Sequence, residues 1–231
     1  MIDFSAVDAL TFDCYGTLID WETGLLRTLG PMVATRGIQV ADDRLLETYA
    51  RHESSLEAGP YVGYKDVLVG SLRGLGAELG FEPTEGEEAA FARSPADWPP
   101  FSDSADALAR LRERFRLGVI TNCDDDLFEE SRRRLGADFA WIITAQQARS
   151  YKPDAHNFEV AFARITVPRQ RIVHVAQSLY HDHVPAKHLG MTTVWVDRRR
   201  GRDGFGATPP AEAKPDLVVR DMRELAQMAA G

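Results

Sequence analysis

Cysteine is scarce in this chain: Cys14 and Cys123 are the two among 231 residues. At most one disulfide could form, so a stapled framework is excluded and a reducing compartment, the cytoplasm, is the expected location. Both thiols fall beside expected strand ends without a His-containing thiol signature, and they read as small buried fillers. No run of about 18 apolar residues is present to cross a bilayer as a helix. The N-terminus has no basic segment followed by an apolar stretch, so no signal peptide is expected. Positive charge is also short, with 27 Lys and Arg against 35 Asp and Glu. The net charge of −8 argues against nucleic acid or an anionic membrane as partner, because either needs a basic face. The one basic run, Arg198-Arg199-Arg200-Gly201-Arg202, reads as a solvated loop. His174, His181, His183 and His188 lack H-E-x-x-H or Cys/His spacing, and His181 and His183 diverge if helical, so no metal site and no cofactor are expected. There is no internal repeat and no low-complexity segment.

What is present suits a globular enzyme, since 44% apolar residues over this length can bury a full α/β core and a small inserted subdomain. The apolar run Val7 to Phe12 predicts a buried strand that breaks into a loop at Gly16, leaving Asp13 at its carboxyl end. In open α/β sheets ligands bind there. Helical periodicity follows from Leu25 onward and then over Asp42–Ser54, Tyr64–Leu79 and Gly86–Arg93, an almost purely helical insertion. Trp98-Pro99-Pro100-Phe101 marks the return to the core. Strands are then expected at Leu117–Ile120, Trp141–Thr144, Ile172–Ala176, Thr192–Val196 and Leu217–Val219, alternating with helices. The Gly201–Pro210 loop ends in Pro-Pro rather than opening a helix, so it reads as an irregular connection and not a phosphate cradle.

Asp13 before Gly16-Thr17 resembles the first motif of the haloacid dehalogenase (HAD) superfamily, in which this carboxylate is the nucleophile. Thr121-Asn122 after a strand is similar to its second motif, which holds the substrate anion. Lys152-Pro153, read as the start of a helix, is similar to the third, with the lysine aimed at Asp13. Asp182 matches the carboxylate that activates water in the fourth. Phosphatase members carry a second Asp two residues after the nucleophile and another Asp at the end of the fourth-motif strand. Here those positions are Tyr15 and Gln177, so a hard Mg²⁺ site is poorly supplied. The Asp-x-Tyr-Gly-Thr form resembles the metal-independent 2-haloacid dehalogenase branch.

The resemblance implies a Rossmann-like HAD core with a parallel sheet (residues 1–19 and 99–231) and an inserted helical cap (20–98), whose exposed apolar helices would suit a homodimer. It also implies an aspartyl ester formed on a small 2-substituted carboxylate. In that branch an arginine of the cap receives the halide and an Asn lies three residues before the water-activating Asp. Neither Arg44 nor Arg51 aligns with the former, and the latter position is Leu179. Local runs such as Ser178-Leu179-Tyr180-His181-Asp182-His183 instead resemble azetidine-2-carboxylate hydrolases of the same branch, which open a strained C–N ring. Asp124 is the candidate partner for a ring ammonium, Tyr15 and Trp21 for an aromatic wall facing it, and Ser178 for a further substrate contact. A Mg²⁺-dependent phosphatase and a non-catalytic binding protein on this fold are the other readings.

Overall fold

Ala9-Leu10-Thr11-Phe12 forms strand β1 (Ala9–Phe12), fully buried at every residue and central in the sheet. The computed structural model describes residues 2–230. Helices α1 (Trp21–Ala34), α2 (Asp42–Glu57), α3 (Tyr64–Leu79) and α4 (Glu85–Arg93) follow without an intervening strand. The chain then alternates: α5 (Ser104–Leu111), β2 (Arg116–Thr121), α6 (Asp125–Leu135), β3 (Trp141–Thr144), the short α7 (Ala145–Ala148), α8 (His156–Arg164) and β4 (Ile172–Ala176). A π-turn over Leu179–His183 leads into α9 (Val184–His188), then β5 (Thr192–Val196), β6 (Leu217–Val219) and α10 (Met222–Ala229).

The six strands form one parallel sheet in the order β3-β2-β1-β4-β5-β6. Such a sheet must be covered on both faces, and its strands alternate between two apolar clusters. Leu10, Phe12, Val119, Val173 and Val175 face the larger cluster, which Leu108, Leu111 and Leu225 close. Ala9, Ile120, Ile143 and Ile172 face the smaller one, closed by Phe158 and Ala161 of α8. With β2 on one side of β1 and β4 on the other, the chain leaves the sheet in both directions from β1. The crevice at the carboxyl ends of these strands is where Asp13 emerges.

The inserted helices lie over that crevice. Phe91 and Tyr49 pack together at 6.0 Å, and Trp98 anchors the return by edge contacts to Tyr15 and Trp21. Gly24 in α1 is required there, because a Cβ on it would overlap the Trp98 indole. Three caps fix helix starts: Asp20 accepts from Thr23 N, Thr84 and Glu87 form a capping box, and Asp221 accepts from Glu224 N.

Three local expectations are corrected. Lys152-Pro153 does not open a helix: the segment is a turn with a cis Lys152–Pro153 peptide bond, and α8 begins at His156. α2 runs on to Glu57 rather than ending near Ser54. The arginine run is not a solvated loop at its start. Arg198 is half-buried, its Nη1 donating to both Asp103 oxygens (2.8 and 3.1 Å) and its Nε and Nη2 to the Thr17 carbonyl. Arg199 pairs with Glu22 at 2.6 Å and Asp43 at 3.0 Å.

Candidate active site

Asp13 leaves the end of β1 with its carboxylate turned into a cavity between sheet and inserted helices. Thr17, one turn further on, donates its hydroxyl to Asp13 Oδ2 at 2.6 Å, and the Gln177 backbone N–H donates to Thr17 Oγ1 at 2.9 Å. Lys152 arrives from the turn after α7. Its Nζ donates three hydrogen bonds: to Asp13 Oδ1 (2.9 Å), Asp182 Oδ1 (2.7 Å) and the Ile120 carbonyl (2.8 Å). All three ammonium protons are thereby used, which is what a lysine with 1% exposure requires. Asp182, in the π-turn after β4, accepts on the same Oδ1 from His174 Nε2 at 2.9 Å, while His174 Nδ1 pairs with the Thr11 hydroxyl at 3.0 Å across the β1–β4 register. Oδ2 of Asp182 is buried with no hydrogen-bond partner in the protein.

The electrostatics follow from this arrangement. Burial opposes the charge on Lys152, but the two carboxylates beside it hold its pKa above the ordinary value. Burial also works against Asp182, yet Lys152 and the His174 hydrogen bond keep its carboxyl well below the usual range, so it stays ionised. For Asp13 burial dominates and raises the carboxyl, opposed by Lys152 and reinforced by the charge of Asp182.

The donor set does not fit a Mg²⁺ ion. The position between the two carboxylates is taken by the lysine ammonium, Tyr15 offers a phenol bonded to Ser131 at 3.1 Å, and Gln177 Oε1 accepts from Thr208.

The sequence-predicted residues divide. Asp13, Lys152 and Asp182 come together, and Tyr15, Trp21, Asn122 and Ser178 line the cavity with them. Thr121 does not: its hydroxyl is buried beneath the cavity and donates to Cys123 Sγ at 3.7 Å, so it is no substrate donor in this geometry. Asn122 is already engaged, its amide nitrogen donating to both Glu57 oxygens (3.3 and 3.2 Å) and the Lys152 carbonyl (2.9 Å), its Oδ1 accepting from Lys152 N. Asp124 is turned away altogether. Its two oxygens accept from Tyr64 N (2.9 Å) and Lys65 N (3.1 Å), capping α3 rather than facing a substrate cation. Cys14 and Cys123 are free and buried, as expected.

Sequence reasoning missed Glu53, Glu57, Tyr64, His181 and Thr208, all of which line the cavity. The signal for the two glutamates was present: on α2 they continue the stripe of Leu46, Tyr49 and Ala50 at i, i+3 and i+4 spacing, so two carboxylates stand on an apolar face. Thr208 is carried in by the Gly201–Pro210 loop, pinned through Ala207 N to Glu22 Oε1 at 3.0 Å. Arg44 and Arg51, neither of which aligns with the halide arginine, lie away from the cavity, both on Glu78 at the exposed face of α2. Among the described residues no arginine lines the cavity.

Comparison with known proteins agrees with this geometry. Over 224 residues, 95% of each chain, the sequence is 24% identical to an (S)-2-haloacid dehalogenase of Pseudomonas putida. A phosphoserine phosphatase of Thermus thermophilus is 30% identical over 155 residues, 64% of this chain and 59% of that one. The structure of L-2-haloacid dehalogenase from Xanthobacter autotrophicus superposes with a TM-score of 0.81 at 20% identity, covering 97% of this chain and 99% of the other, which shows the shared fold. Residues 7–182, from the strand that carries Asp13 to the turn that carries Asp182, match the model of haloacid dehalogenase-like hydrolases; the chain belongs to that family and is a hydrolase.

Proposed function

We propose that this hydrolase displaces a leaving group from C2 of a small 2-substituted carboxylate without a metal, through an ester on Asp13. The observation that carries this reading is the Asp13–Lys152–Asp182 arrangement, with one cation shared by two carboxylates and Asp182 Oδ2 left free. Lys152 and Thr17 orient Asp13 for in-line attack. A carboxylate oxygen bonds to the substrate carbon as the leaving group departs with the bonding pair. Water then gives a proton to Asp182 and attacks the ester carbonyl, releasing the 2-hydroxy product and restoring Asp13. Ser178 is assigned to contact substrate, and Tyr15 and Trp21 to wall the site. The reading divides the chain into a core (1–19 and 99–231) and a lid (20–98) that keeps bulk water from the nucleophile.

The test is a single turnover in ¹⁸O-water. Attack by solvent on the ester carbonyl puts the label in Asp13 and leaves the first product unlabelled. Label in the product with Asp13 unlabelled would refute the ester.

The likeness to (S)-2-haloacid dehalogenases favours halide as leaving group. Hydrolytic opening of azetidine-2-carboxylate is a second reading, favoured by one observation: the cavity has no arginine to receive a halide. L-2-Chloropropionate and L-azetidine-2-carboxylate, supplied together to EDTA-treated protein and followed by proton NMR, separate the two.

A further inference from the structure

The lid side of the cavity carries acid where an anionic leaving group would need a base. Glu53 and Glu57, one turn apart on α2, both face it and are nearly fully buried, 2% exposed for Glu53 and 4% for the Glu57 side chain. Glu53 is held by two phenols, Tyr49 and Tyr64, whose hydroxyls donate to Oε1 at 2.6 and 2.7 Å. Glu57 is held by the Asn122 amide. These bonds fix the two carboxylates and bring no positive charge to them. Among the described residues the one cation lining the cavity is Lys152, whose three protons are already committed to Asp13, Asp182 and a carbonyl.

A second, independent feature marks the space between lid and core as a ligand position. His181 is buried, with Nδ1 on Ser178 Oγ at 3.1 Å, and its Nε2 has no hydrogen-bond partner. That atom lies 3.6 Å from Glu57 Oε2, too far for a direct hydrogen bond and close enough for both to reach one polar group between them. Burial holds the His181 imidazole down to about 4, so near neutrality it contributes no charge to offset the glutamates.

We propose that Glu53 and Glu57 form a cation subsite, and that the substrate of this enzyme is an amino-acid-like zwitterion whose positively charged nitrogen lies against them. The proposal rests on the carboxylate-displacing function above and names its substrate class. A buried carboxylate pair without a counter-ion is costly, and an ammonium supplies the missing charge with directional N–H donors. A halide or a second carboxylate at the same place would find no positive charge to receive it. Burial pushes Glu53 up to about 7 and Glu57 well above its ordinary value, so each favours holding a proton until a cation takes its place.

The test compares two unreactive five-membered rings on the wild-type protein by calorimetry: L-proline, a zwitterion, and (S)-tetrahydrofuran-2-carboxylate, the same shape with a neutral ring oxygen. L-Proline is expected to bind at least about tenfold more tightly, the scale of one charge-assisted contact, with Glu57→Gln or Glu53→Gln abolishing that preference. Equal binding, preference for the tetrahydrofuran acid, or a preference that survives both substitutions overturns the cation subsite and leaves the displacement reading standing. Binding of neither ring would remove the small-carboxylate site itself, and with it both proposals. Because the wild-type comparison stands alone, a poorly folded variant does not blunt the test.

Discussion

The Nζ of Lys152 lies 2.7 Å from Asp182 Oδ1 and 2.9 Å from Asp13 Oδ1, so one buried ammonium joins the ends of β1 and β4. Lys152→Met leaves two buried carboxylates facing each other without their cation. A loss of about 3–5 kcal/mol in unfolding free energy is expected, the scale for removing one partner of a buried pair. Turnover should fall at least about a thousandfold, as for loss of a key electrostatic contact. Urea denaturation and initial rates check both; an unchanged urea midpoint would show that the ammonium is not what compensates Asp13 and Asp182.

Asp182→Asn should stall the second half of the reaction. The first half, attack by Asp13, does not use Asp182 as base. Mixing enzyme with reactive substrate should therefore release about one equivalent of leaving group per enzyme in a burst. The peptide bearing Asp13 should gain the mass of the alkyl group. Steady turnover without a burst would place water activation on another residue.

Glu53 makes stability depend on pH. Its carboxyl is raised from 4.5 to about 7 by burial, against the opposing hydrogen bonds of Tyr49 and Tyr64, with the carboxyl of Glu57 also raised one turn away on α2. The raised value means that its contribution is fully present below about pH 4.5 and is lost as pH rises to 7. Glu53→Gln keeps an oxygen for both phenols and does not titrate. Its unfolding free energy should match that of wild type near pH 4 and exceed it by pH 8, by up to roughly 3 kcal/mol from the linkage relation. A difference that is flat across that range contradicts burial as the cause.

Asp124 is predicted to matter for the fold and not for the ligand. Asp124→Ala removes the side-chain acceptor for the first N–H groups of α3 and should cost about 1 kcal/mol, as for a lost helix cap. L-Proline affinity should stay within about twofold, because no binding contact is removed. A tenfold drop in that affinity with unchanged stability would restore Asp124 to the substrate.

Arg198→Met should cost about 1–3 kcal/mol, since buried Asp103 loses its charged partner and keeps only the Met222 and Arg223 N–H donors. Activity should fall as well, because the Thr17 carbonyl that Arg198 holds belongs to the residue that donates to Asp13. Thermal unfolding and rate measurements on the same preparation test the pairing; loss of neither would mean that Arg198 does not brace the nucleophile loop.

The fold was legible where burial is continuous along the chain. β3, β4, β5 and β6 were placed residue for residue, because each is a short run of apolar and β-branched residues between turn signals. Asp13 and Asp182 were legible because each follows a strand end that the topology brings to one crevice, and Lys152 because of its Lys-Pro pair. What stayed hidden depends on partners far off in sequence. Arg198 reads as solvated until Asp103 is packed against it, and Asp124 reads as facing a ligand until the first turn of α3 arrives above it. Glu57 was lost for a local reason: Ser54 looked like the end of α2, and the last turn carried the residue out of the expected helix.

Asn122 and Glu57 have one more consequence. Their contact spans from the sheet to the inserted helices, as do the bonds from Asp124 to the α3 amides and from the Tyr151 hydroxyl to the Val62 carbonyl at 2.8 Å. The clasp that shuts the chamber is therefore made partly of the chamber's own wall. Any swing that admits a guest must first release Glu57 from Asn122, so the acidic corner takes its shape only once the door is shut. If the inserted helices swing to admit a ligand, selection falls at closing, where a molecule that does not help remake that corner is free to leave.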